Sequence, residues 1–328
     1  MMAVAKAWRG NDHISGPYPA RVEDIPELNT IFSDAFSERY RRDGLVGVRV
    51  PCLNPAIWRY AIEDAGDGAL LWRDEKDSIV AFNVVHRSGA EGWMGPLAVR
   101  TDRQGLGIGK EIVRAGVELL QRGGSDRPNT IGLETMPRTM DNIGFYASLG
   151  FVPGRLTMTL TLDPASGDRP AMLFGRLRPA DRDDALEECK SLLGTLLAGY
   201  DYTREIALTH ELDLGDTMLW RERGRLRGFA LCHTVPLVEG RSREELRVLK
   251  LALANETDAG SMFQTLADLA RRSGTRRVAL RVQTDYPASF QALMSLGARV
   301  RWTDLRMTVA GYPENTARQG VVWSNWEI

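Results

Sequence analysis

Cysteine is scarce: Cys52, Cys189 and Cys232 are the only three in 328 residues, and they lie far apart with no C-x-x-C or Cys/His spacing. Such usage suits a reducing cytoplasm, where lone cysteines serve as small buried apolar groups, and it offers no metal or redox centre. A run of ~18 apolar residues is missing too, and residues 1–19 hold no hydrophobic signal core despite Lys6 and Arg9. The expectation is a cytoplasmic protein with a loosely ordered leader over residues 1–19. An excess of one charge is also lacking, with 42 Lys and Arg against 43 Asp and Glu. No global field draws the chain to nucleic acid or to a membrane, so neither is expected as a partner. At 43% hydrophobic, a chain of this length can fill two cores of about 150 residues each.

Glycine is present where it matters. The apolar strand Leu97-Ala98-Val99 runs through Arg103, Gln104, Gly105, Leu106, Gly107, Ile108, Gly109 and Lys110 into a helix. Backbone N–H groups converge at such a bend, the first helical turn leaves its own unpaired, and the helix dipole adds about half a positive charge. A phosphate or pyrophosphate fits there. Two common phosphate loops fail on spacing. A Walker loop needs Gly at 104 and Ser or Thr at 111, where the chain has Gln104 and Glu111. A dinucleotide fingerprint needs a third glycine where Lys110 stands.

The segment resembles the Q/R-x-x-G-x-G/A signature of the GNAT acyltransferases, as Gln104-x-x-Gly107-x-Gly109 behind the strand Leu97-Ala98-Val99. A second element follows in the right order: the strand Thr130-Ile131-Gly132-Leu133-Glu134-Thr135, then Phe145-Tyr146-Ala147-Ser148-Leu149-Gly150-Phe151, similar to the family's F-Y-x-x-L-G-F. The resemblance implies acetyl-CoA, or another acyl-CoA, as co-substrate, with no metal. It implies that the strands at 93–99 and 130–135 splay to admit the pantetheine arm, and that an amine attacks the thioester directly. A backbone N–H near Val99 would polarise the carbonyl, and Tyr146 would protonate the departing thiolate. Thr139 stands where family members often carry an Asn against the pantetheine, and Arg103 and Lys110 flank the loop within reach of phosphates.

The halves repeat each other. Residues 20–28 open a strand and helix, and the pattern restarts at Leu177, each time followed by a helix pair, a hairpin, a strand before a helix, and a helix ending in Ser-Leu-Gly (148–150 and 295–297). Alternating strand and helix signals predict an α/β sandwich in each copy, and the resemblance implies two tandem GNAT folds, each a mixed, mostly antiparallel sheet flanked by helices. The first spans residues 20–163, a linker 164–170, and the second 171–312, with 313–328 as a tail that adds an edge strand or closes a cleft. The second copy reads as degenerate. Glu256 and Asp258 replace the glycine run and would repel a pyrophosphate, and Leu293 takes the place of Tyr146.

For the base that deprotonates the acceptor, Glu91 and Glu134 are the candidates, directly or through water, with His86 weaker. The arginines of residues 37–51, with Tyr40, form a patch for an acidic group on the acceptor, or simply a solvated face. The expected activity is acyl transfer to the primary amine of a small molecule, by a monomer or homodimer. A protein or peptide N-acetyltransferase is an alternative, as are a CoA-binding sensor without transfer and an interaction scaffold.

Overall fold

The computed structural model describes residues 14–122, 127–167 and 170–326. In chain order the first half comprises β1 (Ser15–Pro19), α1 (Ile25–Arg42), α2 (Pro55–Ala65), β2 (Ala69–Arg73), β3 (Ile79–Ser88), β4 (Glu91–Val99), α3 (Ile108–Gln121), β5 (Thr130–Thr135), α4 (Met140–Ala147) and β6 (Phe151–Leu162). The second half repeats that order with β7 (Met172–Leu173), α5 (Pro179–Leu196), α6 (Thr203–Glu211), β8 (Gly215–Glu222), β9 (Arg225–His233), β10 (Glu245–Leu253), α7 (Ala259–Ser273), β11 (Arg277–Gln283), α8 (Pro287–Ser295) and β12 (Arg299–Val309). A last strand, β13 (Val321–Ser324), has no counterpart among the described residues of the first half.

Local chemistry explains the elements that carry the site. Asn54 caps α2 by accepting from the Ala56 N–H at 3.0 Å, with Pro55 in the first turn. Helix α3 buries Ile108, Ile112, Val113, Gly116 and Leu120 along one stripe against the sheet. Gly116 is required there, since a Cβ would lie 2.6 Å from both Asn83 Nδ2 and Met94 Sδ. The expected loose leader does not include its last five residues: Ser15–Pro19 pairs antiparallel with β2, and Gly16 packs on the Trp72 ring, 2.7 Å from where its Cβ would be, while residues 1–13 lie outside the described residues.

The strands of both halves join one sheet, in the order β1-β2-β3-β4-β5-β12-β6-β11-β10-β9-β8-β7. Only β4–β5 and β10–β11 pair in parallel among the described strands. Helices cover both faces, with two apolar cores on each half.

The middle of that order departs from two separate folds. Strand β12 lies between β5 and β6, and β6 lies between β12 and β11, so each half lends its long last strand to the other. Leu160 and Leu162 of β6 enter the core built on α7 and α8, and Met307 of β12 enters the core under α3 and α4. Each such side chain stabilises by about 1.5–3 kcal/mol where it is buried. The stretch 164–170 therefore connects the halves in sequence without dividing them in space. The tail is no edge strand either: β13 pairs with β10 in the interior, and Val321, Val322, Trp323 and Ser324 are all buried.

Because each core is completed by the other half, residues 14–163 and 164–328 expressed singly are expected to show no cooperative thermal transition. Co-expressed, they should recover one. Circular dichroism melts of the three samples check this.

Candidate active site

Strands β4 and β5 pair over four residues, Glu91–Met94 with Thr130–Leu133, and then part. On its other side β4 stays paired to β3 as far as Val99, with a bulge opposite Asn83 to Val85. Among the described residues the β5-facing edge of Leu97, Ala98 and Val99 has no strand neighbour, and it opens into a cleft of about 820 Å³.

The glycine loop forms one end of the cleft. Gly105 and Gly107 have φ of +81° and +86°, which glycine alone adopts without strain, and Gly107 precedes the first residue of α3. Gln104 donates from Nε2 to the Val99 carbonyl at 3.0 Å, tying the loop to the strand. Arg103 and Lys110 line the cleft with Gln104, Gly105, Gly107 and Gly109. Leu106 and Ile108 do not line it: the first is half exposed and the second is in the core, so what position 108 offers a ligand is its backbone N–H at the helix start. Gly109 has a packing reason, since a Cβ there would lie 3.3 Å from the Phe145 ring.

Tyr146 on α4 also lines the cleft, its ring held edge-on between Phe145 and Phe151. Burial pushes its hydroxyl up to about 12, so it keeps its proton through the neutral range. Thr139 is away from the cleft: it is fully buried and donates to Asp43 Oδ2 at 2.6 Å. Asn142 lines the cleft instead. It stands four residues before Tyr146, hence on the same helical face, a spacing visible in the sequence.

The two carboxylates are placed differently from each other. Glu91 does not line the cleft; it is buried at the sheet centre, accepting from Ser324 Oγ at 2.6 Å and Trp326 Nε1 at 2.8 Å, with Lys250 Nζ at 3.6 Å. Glu134 lines the cleft, but its oxygens accept from Thr157 Oγ1 at 2.6 Å, Arg306 Nε at 2.8 Å and Arg281 Nη2. Burial works against its charge, yet Arg281 and Arg306 outweigh it and hold the carboxyl at about 2. A group so acidic is a poor base. His86 is buried, bonded through Nδ1 to Asp64 at 2.5 Å and stacked on Trp93 at 3.9 Å.

The second half supplies walls of which the sequence points only to the tail, as a segment that closes a cleft. Trp302 and Asp304 of β12 line the cleft with Leu237, Val238 and Trp326. Trp302 donates from Nε1 to Asp304 Oδ1 at 3.2 Å, and its ring lies 6.3 Å from that of Tyr40. No local signal at positions 302 and 304 points to residue 134, because strand exchange alone brings them together. The arginine patch is largely consumed by its own neighbours: Arg39 pairs with Asp43 and Asp141, Arg41 and Arg42 with Glu38, and Arg49 with Asp34.

Residues 27–151 match the model described as the acetyltransferase (GNAT) family. The chain carries a GNAT domain. That domain holds the splayed strands, the glycine loop and Tyr146. No curated protein matches the sequence. Among solved structures, a Pyrococcus horikoshii protein described as a candidate acetyltransferase is similar over 99% of this chain and 97% of its own, at 16% identity and a TM-score of 0.68. Saccharomyces cerevisiae N-myristoyltransferase, solved with bound myristoyl-CoA, is similar over 95% and 85% at 10% identity and 0.64. A tandem GNAT protein of the clavulanic acid biosynthesis pathway is similar over 92% and 100% at 14% identity and 0.59. At these identities the likeness is one of fold, and it extends through both halves of the chain. Among the described residues no helix is long and apolar enough to cross a membrane.

Glu134→Gln should destabilise the fold by at most about 3–5 kcal/mol, since it removes one of two negative partners from each of buried Arg306 and part-buried Arg281, which keep Glu314 and Asp304 respectively. In the native protein the depressed carboxyl stabilises the fold above the unfolded value near 4.5, and that contribution is lost as pH falls toward about 2. Urea titrations between pH 7 and pH 2.5 should show a flatter acid limb in the variant.

Proposed function

We propose that the chain is an acyl-CoA-dependent N-acyltransferase that moves an acetyl group from acetyl-CoA to the primary amine of a small molecule. The observation that carries this reading is the open edge of Leu97–Val99, which faces a cleft lined by both the glycine loop and Tyr146. Backbone groups on that edge would pair with a pantetheine arm. The loop N–H groups, with Arg103 and Lys110, suit its phosphates. A small acceptor is favoured because both halves wall the cleft, with Tyr40, Trp302 and Asp304 close together in its lining.

The amine attacks the thioester directly, and the work of the site is positioning, oxyanion stabilisation by an N–H near Val99, and proton handling. Tyr146 reaches the reaction with its proton in place and passes it to the leaving thiolate. The acceptor's proton leaves through water ordered by Glu134 and Asp304, since Glu134 is too acidic to take it itself. Glu91, off the cleft, is assigned no part in this step.

A second reading, a CoA-binding module without transfer, rests on one observation: Glu134 and Asp304, the carboxylates of the cleft, are both bonded to Arg281. Turnover of acetyl-CoA with any amine excludes it.

Calorimetry with acetyl-CoA should give one site per chain. Gly107→Glu should abolish that binding, because a side chain at a φ of +86° is strained and its charge opposes phosphate. Tyr146→Phe should keep the Kd within about threefold and lower kcat by on the order of 10- to 100-fold. Absence of binding by the native chain would overturn both readings.

A further inference from the structure

The second half contains the same splay as the first, and it is filled. Strands β10 and β11 pair in parallel over Glu245–Val248 with Arg277–Leu280 and then part, as β4 and β5 do after Met94. In the first half the edge beyond that point opens on the cleft. In the second, Lys250–Leu253 pairs antiparallel with Ser324–Val321, so β13 takes the equivalent slot. The chain enters it at Gly320, where a Cβ would lie 2.2 Å from the Leu253 carbonyl oxygen.

From there the chain crosses into the first half. Asn325 donates its N–H to the Leu249 carbonyl at 2.8 Å, and Trp326 reaches the point where β4 and β5 part. Its indole lies against Gly132 of β5, 2.5 Å from where a Cβ would be, and its carbonyl oxygen is 3.3 Å from the corresponding position on Gly95 of β4. The ring is fixed by Nε1 donating to Glu91 at 2.8 Å and by the Arg306 guanidinium 4.1 Å from its centroid. It is 1% exposed to solvent, yet it forms part of the cleft wall.

We propose that Trp326 sets the length of acyl chain the cleft accepts. The inference rests on the reading of the cleft as an acyl-CoA site. A carrier arm anchored at the glycine loop and laid along Leu97–Val99 points its acyl end toward the parting of the strands, where the indole closes the path. A short acyl group stops before the ring. A longer one must displace a side chain held through its ring nitrogen, by a cation and by two glycine backbones, which a packed interior resists. The strand seated in the second half's groove thereby delivers the gauge for the first.

The test is calorimetry with acetyl-CoA and octanoyl-CoA on the native chain, Trp326→Ala and Trp326→Leu, with circular dichroism melts to establish folding. The native chain should bind octanoyl-CoA at least about tenfold more weakly than acetyl-CoA. In Trp326→Ala the gap should close to about threefold or reverse, with acetyl-CoA affinity within about threefold of native. Trp326→Leu fills more of the space and should fall between, and it carries the test if the alanine variant does not fold. Equal native affinity for the two ligands, or an unchanged ratio in the folded variants, overturns the inference while leaving the acyl-CoA site standing. No binding of either ligand by the native chain overturns the site and the inference together.

Discussion

Arg306 is almost wholly buried, and its guanidinium bonds to four separate segments: Glu134 on β5, Thr157 on β6, Glu314 in the connection after β12, and the Ser324 carbonyl on β13. Burial disfavours its charge, but Glu314 and Glu134 outweigh that and keep it cationic. A buried ion is tolerated only when its donors are met, and these donors are met only if β12 lies between β5 and β6 and the tail lies beside β10. The exchange of strands, the acidity of Glu134 and the position of the tail are linked through this one side chain. So is the cleft: the guanidinium that holds Glu134 in its wall also faces Trp326.

The two halves share a plan and differ in what occupies it. Both splay a parallel strand pair after four residues, but one opening leads to a glycine loop and the other receives β13. The second half has put its remaining positions to structural use. Glu256, expected to repel a phosphate, accepts from the N–H and hydroxyl of Ser289 at 2.9 and 3.0 Å near the start of α8. Leu293, where the first half has Tyr146, is fully buried in the core. A splayed strand pair with no glycine loop beside it still presents strand edges that need partners, and here a strand of the same chain supplies them.

Legibility in the sequence followed range. The glycine loop, the hairpins at 69–88 and 215–233, and α4 with its aromatic pair are each specified within a dozen or so residues by periodicity and turn chemistry, and each is where that chemistry places it. Asn142 was equally available, four residues before Tyr146, but the count from the family motif led to Thr139, whose hydroxyl is bound to Asp43. The candidate bases were beyond reach of such reasoning. Glu91 and Glu134 occupy similar alternating positions on neighbouring strands. What separates them is a set of partners from residues 281 to 326, which bury one at the sheet centre and clamp the other in the cleft wall.

By itself the sequence determined the repeated order of elements, the α/β class and the glycine loop, because hydrophobic period, glycine placement and internal repetition are properties of short segments. Only the tertiary structure decided that the copies exchange β6 and β12, that the tail is an interior strand, and that the cleft is walled by Trp302, Asp304 and Trp326. Those outcomes depend on pairing between strands far apart in the chain. Such pairing is selected by the burial of whole faces and the satisfaction of buried charge, which no local pattern of residues encodes.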